Sequence, residues 1–520
     1  MQGTTPAAPA VGGTFLRQPR GLATLFFTEM WERFTYYGMR SVLILFLVSA
    51  ASQGGLGFDD QTASSIYGLY ICGTYVFAPV GGWIADRLLG PQKAVIGGGL
   101  FIIAGNALLV VGNREVFFAG LLVIVLGVGL LKPNISAMVA GLYPEGGSRR
   151  DAGFSIFYMG ISVGAVLGSF LVPLCAAHYG WRAGFALPAI GMVFGLGYFL
   201  VTRGRLIAAV EVPARLSFAS GASSTGDVPA RSLSRVGASP PRARPSAWFP
   251  VIVILVPVIA IAALAMSGTL HLDPNTLAGD ASWLLALVAA GYFLYLLIFA
   301  GLTAEERKRL YVMMALFAAY AIFYAGFEQG GASMNLFAER YTQRTLSGWS
   351  FPAGILQGAT ALYTIVFAPV FAALWLALGR RGRDLSPPAK FATGLVLLGL
   401  GAVVMVVASR LVVAGYKVSA FWLLGTYLLQ ECGDLCLSPV GLSSMTKLAP
   451  ARYVSQVMGV WFLALALGNN LAGQLSRQYD ASNLSSLPSL FLEIAGLSLA
   501  AAAVMYALAP RLEHLMRGAN

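Results

Sequence analysis

Apolar runs, each long enough to cross a bilayer, recur along nearly the whole chain and are separated by short polar and basic clusters. About 20 consecutive apolar residues suffice for one helical crossing. The pattern predicts fourteen helical spans, near 21–50, 60–86, 92–112, 116–142, 151–177, 183–202, 249–267, 281–302, 309–338, 350–379, 389–409, 418–447, 453–476 and 487–509. The fold class expected is an all-α polytopic membrane protein. The first twenty residues, "MQGTTPAAPAVGGTFLRQPR", lack the apolar core and cleavage site of a signal peptide, so none is expected.

Composition agrees with that pattern. Only 11% of the 520 residues are charged, against roughly 25% in a soluble domain. The charge that is present is distributed by side. One set of connections carries Arg17, Arg20, Arg87, Lys93, Arg149, Arg150, the arginines of 203–244, Arg307, Lys308, Arg309, Arg380, Arg381, Arg383, Lys390, Lys447, Arg452, Arg511 and Arg517. The alternate set carries only Arg114, Arg182, Arg340, Arg344, Arg410, Lys417 and Arg477. The excess of basic residues makes the first set cytoplasmic, and an even number of spans puts both termini there. The net charge of +12 is thus mostly topology, and no nucleic-acid partner is expected. The four cysteines lie in or at the ends of spans, and Cys432 and Cys436, one turn apart, do not make a metal site. His178, His271 and His514 sit at a span end, in a loop and in the tail, which disfavours a histidine relay inside the membrane.

The longest connection, 203–247, is rich in Ser, Ala, Gly, Pro and Arg. Such a composition buries no core and reads as a cytoplasmic linker, with arginines suited to anionic headgroups. Three units are expected: a six-helix bundle in 1–202, the linker with two extra helices in 203–308, and a second six-helix bundle in 309–520. Six plus six is the layout of the major facilitator fold, in which two bundles rock about a site at mid-membrane.

Against this background some charges stand out. Arg33, Arg40 and Lys132 belong to neither set of connections, and Glu29, Glu32, Glu328, Glu431 and Asp434 lie deep in spans. One such charge at a helix centre costs about 2.5–3.5 kcal/mol on insertion scales. At the helical repeat, Glu29, Glu32, Arg33, Tyr36 and Arg40 share a stripe roughly 100° wide, with Tyr37 at its edge. Two readings fit an ion-pair ladder of this kind: a clamp tying helices together, or the polar wall of a water-filled cavity.

The stretch "TEMWERFTYYGMR" (28–40) resembles the signature E-x-x-E-R-F-x-Y-Y-G of the proton-dependent oligopeptide transporter family, bacterial type. "YVFAPVGGWIADRLLG" (75–90), "GVGLLKPNIS" (127–136), "RDAGFSIFYMGISVGA" (150–165), "FEQGGASMNLFAER" (327–340), "GDLCLSPVGLSSMTKLAP" (433–450) and "VMGVWFLALALGNNLAG" (457–473) are similar to further segments of that family, and cover nearly the whole chain. The extra helices near 249–302 resemble a pair that bacterial members carry between their halves.

The resemblance implies a symporter that imports di- and tripeptides with protons by alternating access. It has no cofactor; protons are the coupling ion. A peptide offers a carboxylate, an ammonium and a backbone that needs hydrogen bonds. Arg40 supplies a planar fork for a carboxylate, Lys132 a point charge, and Tyr37 and Tyr75 hydroxyls on rigid rings. Their family counterparts hold the carboxylate end. Trp461 matches a tryptophan that lines side-chain pockets, though tryptophan there also serves as packing. Glu328, in E-Q-x-G, matches the proton carrier, switching between Arg40 and a proton, with Glu29 and Glu32 exchanging partners between Arg33 and Lys132. Gly68 stands where animal relatives carry a histidine. Asp86 and Arg87, in G-G-x-x-A-D-R, read as latches or as ordinary topology charge.

The ammonium end departs from the family. Ser162 replaces an asparagine, Thr360 another, and Asp434 a glutamate, while Glu431 appears one turn earlier. The same fold carrying a small anion such as nitrate, or exporting drugs against protons, are the alternatives, although Arg40 and Lys132 repel a cationic cargo. No enzyme is expected: a catalytic histidine, a metal cluster and a phosphate loop are all lacking, and "GVGLLKPNIS" has no G-K-[ST] ending. The expected setting is the bacterial inner membrane, with the lipid bilayer, peptides and protons as partners.

Overall fold

Long apolar runs give long helices, and these tolerate internal proline, as at Pro79, Pro133 and Pro173. In the computed structural model, which describes residues 14–16, 18–143, 147–206, 273–346, 348–450, 453–480 and 483–516, the first half consists of α1 (Arg20–Val48), α2 (Asp60–Ile84), α3 (Pro91–Val110), α4 (Arg114–Gly141), α5 (Gly147–Tyr179) and α6 (Trp181–Thr202). Helix α7 (Pro274–Phe299) follows. The second half holds α8 (Ala304–Phe327), α9 (Ser333–Tyr341), α10 (Gly358–Arg380), α11 (Pro387–Val413), α12 (Phe421–Leu448), α13 (Val454–Ser476) and α14 (Ser486–Met516). The span predicted at 249–267 and most of the 203–247 linker lie outside the described residues.

The helix starts are written locally. Asp59 caps α2 by accepting from Thr62 N–H at 2.8 Å and from the Thr62 hydroxyl at 2.7 Å. Partial burial works to raise the Asp59 carboxyl, but these hydrogen bonds outweigh it and hold the group below its ordinary range. Asn113 caps α4, Asp273 caps α7, and Thr303 with Glu306 forms a capping box on α8. Gly90, at φ 78°, turns the chain from a π-turn (Ala85–Leu89) into α3, a backbone that side chains disfavour.

Two predicted spans are not continuous helices. The span expected at 309–338 breaks into a 3-10 turn at Glu328–Gly331 between α8 and α9, and the span expected at 350–379 opens as a 3-10 turn at Ala353–Gln357. Among the described residues ten helical segments are long and apolar enough to cross a membrane. Helices α1 and α12 are too polar to join that set, because they carry Glu29, Glu32, Arg33, Arg40, Glu431 and Asp434, which face protein rather than lipid. No residue of α10 is buried, and Trp283, Leu287 and Phe299 of α7 are widely exposed, as suits surfaces wetted by lipid tails.

In the first half α1 packs on α5 and α6, α2 on α4, and α3 on α4 and α6; in the second, α8 packs on α13 and α14, and α11 on α12 and α14. The halves meet through α2 against α13 and α5 against α10, and α7 lies on both α2 and α13. Polar groups pin it there: Asn470 and Gln474 donate to Ala278 O at 2.6 and 3.0 Å, and the Ser65 hydroxyl donates to Asn275 Oδ1 at 2.8 Å.

Where α2 crosses α13, backbone meets backbone. A methyl group on Gly68 would sit 2.9 Å from Gly473 Cα, and one on Gly473 2.8 Å from Gly68 Cα. Gly68→Val and Gly473→Val are therefore expected to hold the helices apart and cut transport by more than about tenfold, since overpacking of this kind costs roughly 1–3 kcal/mol. Uptake per reconstituted molecule is the measurement; uptake within twofold of wild type would contradict the close contact.

Candidate substrate site

The stripe on α1 forms the floor of the site. Arg33 Nε lies 3.1 Å from Glu29 Oε1, and the Arg33 guanidinium also binds Glu32; all three are buried. Both carboxylates of the ladder are thus held by Arg33. Lys132, one of the partners expected for them, instead places Nζ 4.3 Å from the centroid of the Tyr75 ring, a cation–π contact. Among the described residues no carboxylate lies within ion-pair distance of Lys132. An ammonium at this depth without a counter-ion is costly, and it presents a charge to whatever enters. Pro133 lies inside α4, and Asn134 Nδ2 ties that helix to α2 by donating to Gly81 O at 3.3 Å.

Arg40 reaches across the seam between the halves. Its Nη2 lies 2.6 Å from Glu328 Oε2, and its Nε donates to Tyr67 Oη at 2.7 Å. The 3-10 break aims Glu328 at Arg40, and Gly331 makes the approach possible: a Cβ there would run into the Tyr67 hydroxyl and lie 3.0 Å from Arg40 Nε. Tyr37, the other aromatic expected near the carboxylate end, has its ring centroid 5.9 Å from the Arg40 guanidinium carbon, and stands edge-on to Tyr36 at 5.2 Å.

The second half supplies the opposite wall. Asp434 accepts from the Tyr324 hydroxyl at 3.2 Å and from Ser438. Glu431 accepts from the Thr364 hydroxyl at 2.5 Å, which joins α12 to α10. Thr360 spends its hydroxyl on Gln357 O at 2.9 Å, and Ser162 is half-buried on α5. Trp461 is 2% exposed, stacked on Tyr320 with centroids 4.0 Å apart and 21° between planes, and fills the space above Gly441. In this arrangement Trp461 packs, and Tyr320 is the ring beside it. Asp86 and Arg87 are exposed in the π-turn and form no ion pair among the described residues.

Sequence reasoning did not find Tyr67, Tyr324, Ser438 or Thr364, since a hydroxyl in an apolar helix carries no signal until its partner is placed. Nor did it find the pair at one end of the seam. Arg340 of α9 donates to both carboxylate oxygens of Asp60 on α2, at 2.7 Å each, and its guanidinium carbon lies 5.5 Å from the Tyr479 ring centroid. Nearby, Asn335 Nδ2 donates to Ser41 O at 3.0 Å, binding α9 to α1. Among the described residues no cluster of three metal-ligating side chains occurs.

Two helical halves that meet at a charged site, with ion pairs crossing from one to the other, define a membrane transporter of the major facilitator type. The sequence profile of the POT family matches residues 92–212 and 251–491. The peptide transporter YePEPT of Yersinia enterocolitica is 38% identical over 510 residues, 97% of this chain and 96% of that protein. A di-/tripeptide transporter of Lactococcus lactis subsp. lactis is 34% identical over 90% of this chain and 91% of its own. A crystal structure of a peptide transporter POT in complex with sulfate matches with a TM-score of 0.85 at 36% identity, covering 97% of both chains. One of a POT family transporter in complex with 5-aminolevulinic acid matches with a TM-score of 0.83 at 30% identity, over 96% of this chain and 98% of that one. The chain belongs to the POT family.

Proposed function

We propose that this chain is a permease for di- and tripeptides that couples their import to protons by alternating access. The observation that carries the reading is the Arg40–Glu328 pair, buried between the two halves beside the unpaired Lys132. Arg40 and Lys132 give a peptide carboxylate two cations, and a carboxylate ligand competes directly with Glu328 for Arg40. Protonating Glu328 frees Arg40 to take the substrate, which links proton binding to peptide binding. The printed names of the relatives, a peptide transporter and a di-/tripeptide transporter, support the substrate class. Tyr37 and Tyr75 serve the carboxylate end; Ser162, Thr360 and Asp434 belong to the ammonium end, with Trp461 packed behind Tyr320; Glu29, Glu32 and Arg33 support proton movement.

The layout proposed with it is fourteen spans in a bacterial inner membrane: bundles in 1–202 and 309–520, with 203–308 between them, and both termini cytoplasmic. On that orientation Asp60–Arg340 and Gly68–Gly473 close the outer end. A cysteine placed in the 203–247 linker is expected to resist an impermeant thiol reagent applied outside intact cells and to react after lysis. Rapid labelling from outside would reverse the orientation.

The function is tested by uptake of labelled dialanine into proteoliposomes under an inward proton gradient. Gradient-dependent accumulation is expected. Uptake of nitrate in place of the peptide would assign the two cations to a small anion, and proton-driven efflux of a cationic dye would assign the fold to drug export.

A further inference from the structure

The residue next to Glu328 is fully buried, and its amide uses its whole hydrogen-bonding capacity. Gln329 Nε2 donates to Ala325 O at 3.1 Å and to Ala472 O at 3.0 Å, while its Oε1 accepts from Ser333 Oγ at 2.5 Å and from Ser476 Oγ at 2.6 Å. An amide has two N–H donors and two carbonyl lone pairs, so none is left over. Its orientation is unambiguous, because the two backbone carbonyls only accept.

These four partners form a pattern. Ala325 is in the last turn of α8 and Ser333 opens α9, so one side chain grips both sides of the 3-10 break. Ala472 and Ser476 are on α13, and Ala472 adjoins Gly473, where α13 meets α2. The turn that presents Glu328 to Arg40 is therefore bonded to the stretch of α13 that closes the seam. The rest of the turn is also enclosed: Tyr427 Oη reaches Gly330 O at 3.5 Å, and Gly331 lies against Tyr67 and Arg40. A 3-10 turn within a helix often marks a hinge, and coupling needs a contiguous element that both sites bias.

We propose that Gln329 is a positioning residue of the transport reaction: it sets the angle of the break so that Glu328 meets Arg40, and it transmits the release of that pair to α13 and hence to the α2–α13 seam. The proposal rests on the reading of Glu328 as the proton carrier. It assigns Gln329 no contact with the peptide.

The test uses the full chain in proteoliposomes. Gln329→Leu keeps the bulk of the side chain and removes all four hydrogen bonds, while the double variant Ser333→Ala with Ser476→Ala removes only the donors to Oε1. Two readouts separate positioning from packing: proton-driven accumulation of labelled dialanine, and counterflow of dialanine without a proton gradient. Accumulation is expected to fall at least about tenfold in both variants, with counterflow within about threefold of wild type, because the loss is one of coupling rather than binding. If Gln329→Leu does not reconstitute, the double serine variant decides alone. Glu328→Gln is run alongside. Accumulation retained in Glu328→Gln would remove the underlying reading, and the proposal with it. Accumulation lost there but retained in both Gln329-network variants would overturn the proposal alone, as would a parallel fall of accumulation and counterflow.

Discussion

Glu328→Gln is expected to abolish gradient-driven peptide accumulation. The amide has nearly the same shape but can neither carry a proton nor balance the Arg40 charge at 2.6 Å. It reproduces the protonated state permanently, so Arg40 is never recaptured and the cycle loses the step that resets it. The pair is buried, and because the other partner of Arg40, the Tyr67 hydroxyl that accepts from its Nε, is neutral, Glu328 is the only anion bound to Arg40 among the described residues. The measurement is accumulation of labelled dialanine above its equilibrium level in proteoliposomes, with the proton gradient present and collapsed. Accumulation at the wild-type level would show that coupling runs through other carboxylates.

Arg40→Ala and Lys132→Ala are expected to weaken peptides with a free C-terminus by about 10- to 100-fold, since a hydrogen bond to a charged group contributes about 1.5–3 kcal/mol. A C-terminally amidated peptide has already lost that charge and should lose much less. The two substitutions differ in their side effects. Removing Arg40 leaves Glu328 buried without its cation, a penalty that also favours its protonated form. Removing Lys132 breaks no ion pair among the described residues, because its close neighbour is the Tyr75 ring. Lys132→Ala is therefore the cleaner probe of the carboxylate end. Competition by the free and amidated peptides against labelled dialanine gives the two affinities, and equal losses for both would confine these residues to gating.

Much of the architecture was legible because lipid imposes a simple rule: a helix facing it must be apolar for its whole length. That rule located α2 to α6, α11, α13 and α14 to within a few residues, apart from the extended ends of α5 and α14. It is weakest where a helix faces its own protein. Helices α1 and α12 were expected from the same pattern, although their own hydropathy is eroded by Glu29, Glu32, Arg33, Glu431 and Asp434. The break at Glu328–Gly331 was not legible, since "EQGGAS" permits a turn without requiring one, and packing against Tyr67 and Tyr427 decides it. In the site, the charged members were visible one at a time as costly exceptions. Their pairings were visible only where a motif supplied them, as for Arg40 with Glu328. Asp60 and Arg340 lie 280 residues apart, each resembling an ordinary charge at a helix end, and nothing along the chain connects them.

The crossing of Gly68 and Gly473 bears on leakage. A carrier driven by protons wastes its gradient whenever a file of water threads past the closed end, because such a file conducts protons without cargo. Water files need gaps and polar groups to anchor them. At this crossing the two main chains touch with no side chain between them, so the contact itself leaves no gap for a file of water to pass. Insulation here comes from contact rather than from a repelling charge, and it is therefore indifferent to ionic strength and to which peptide lies below.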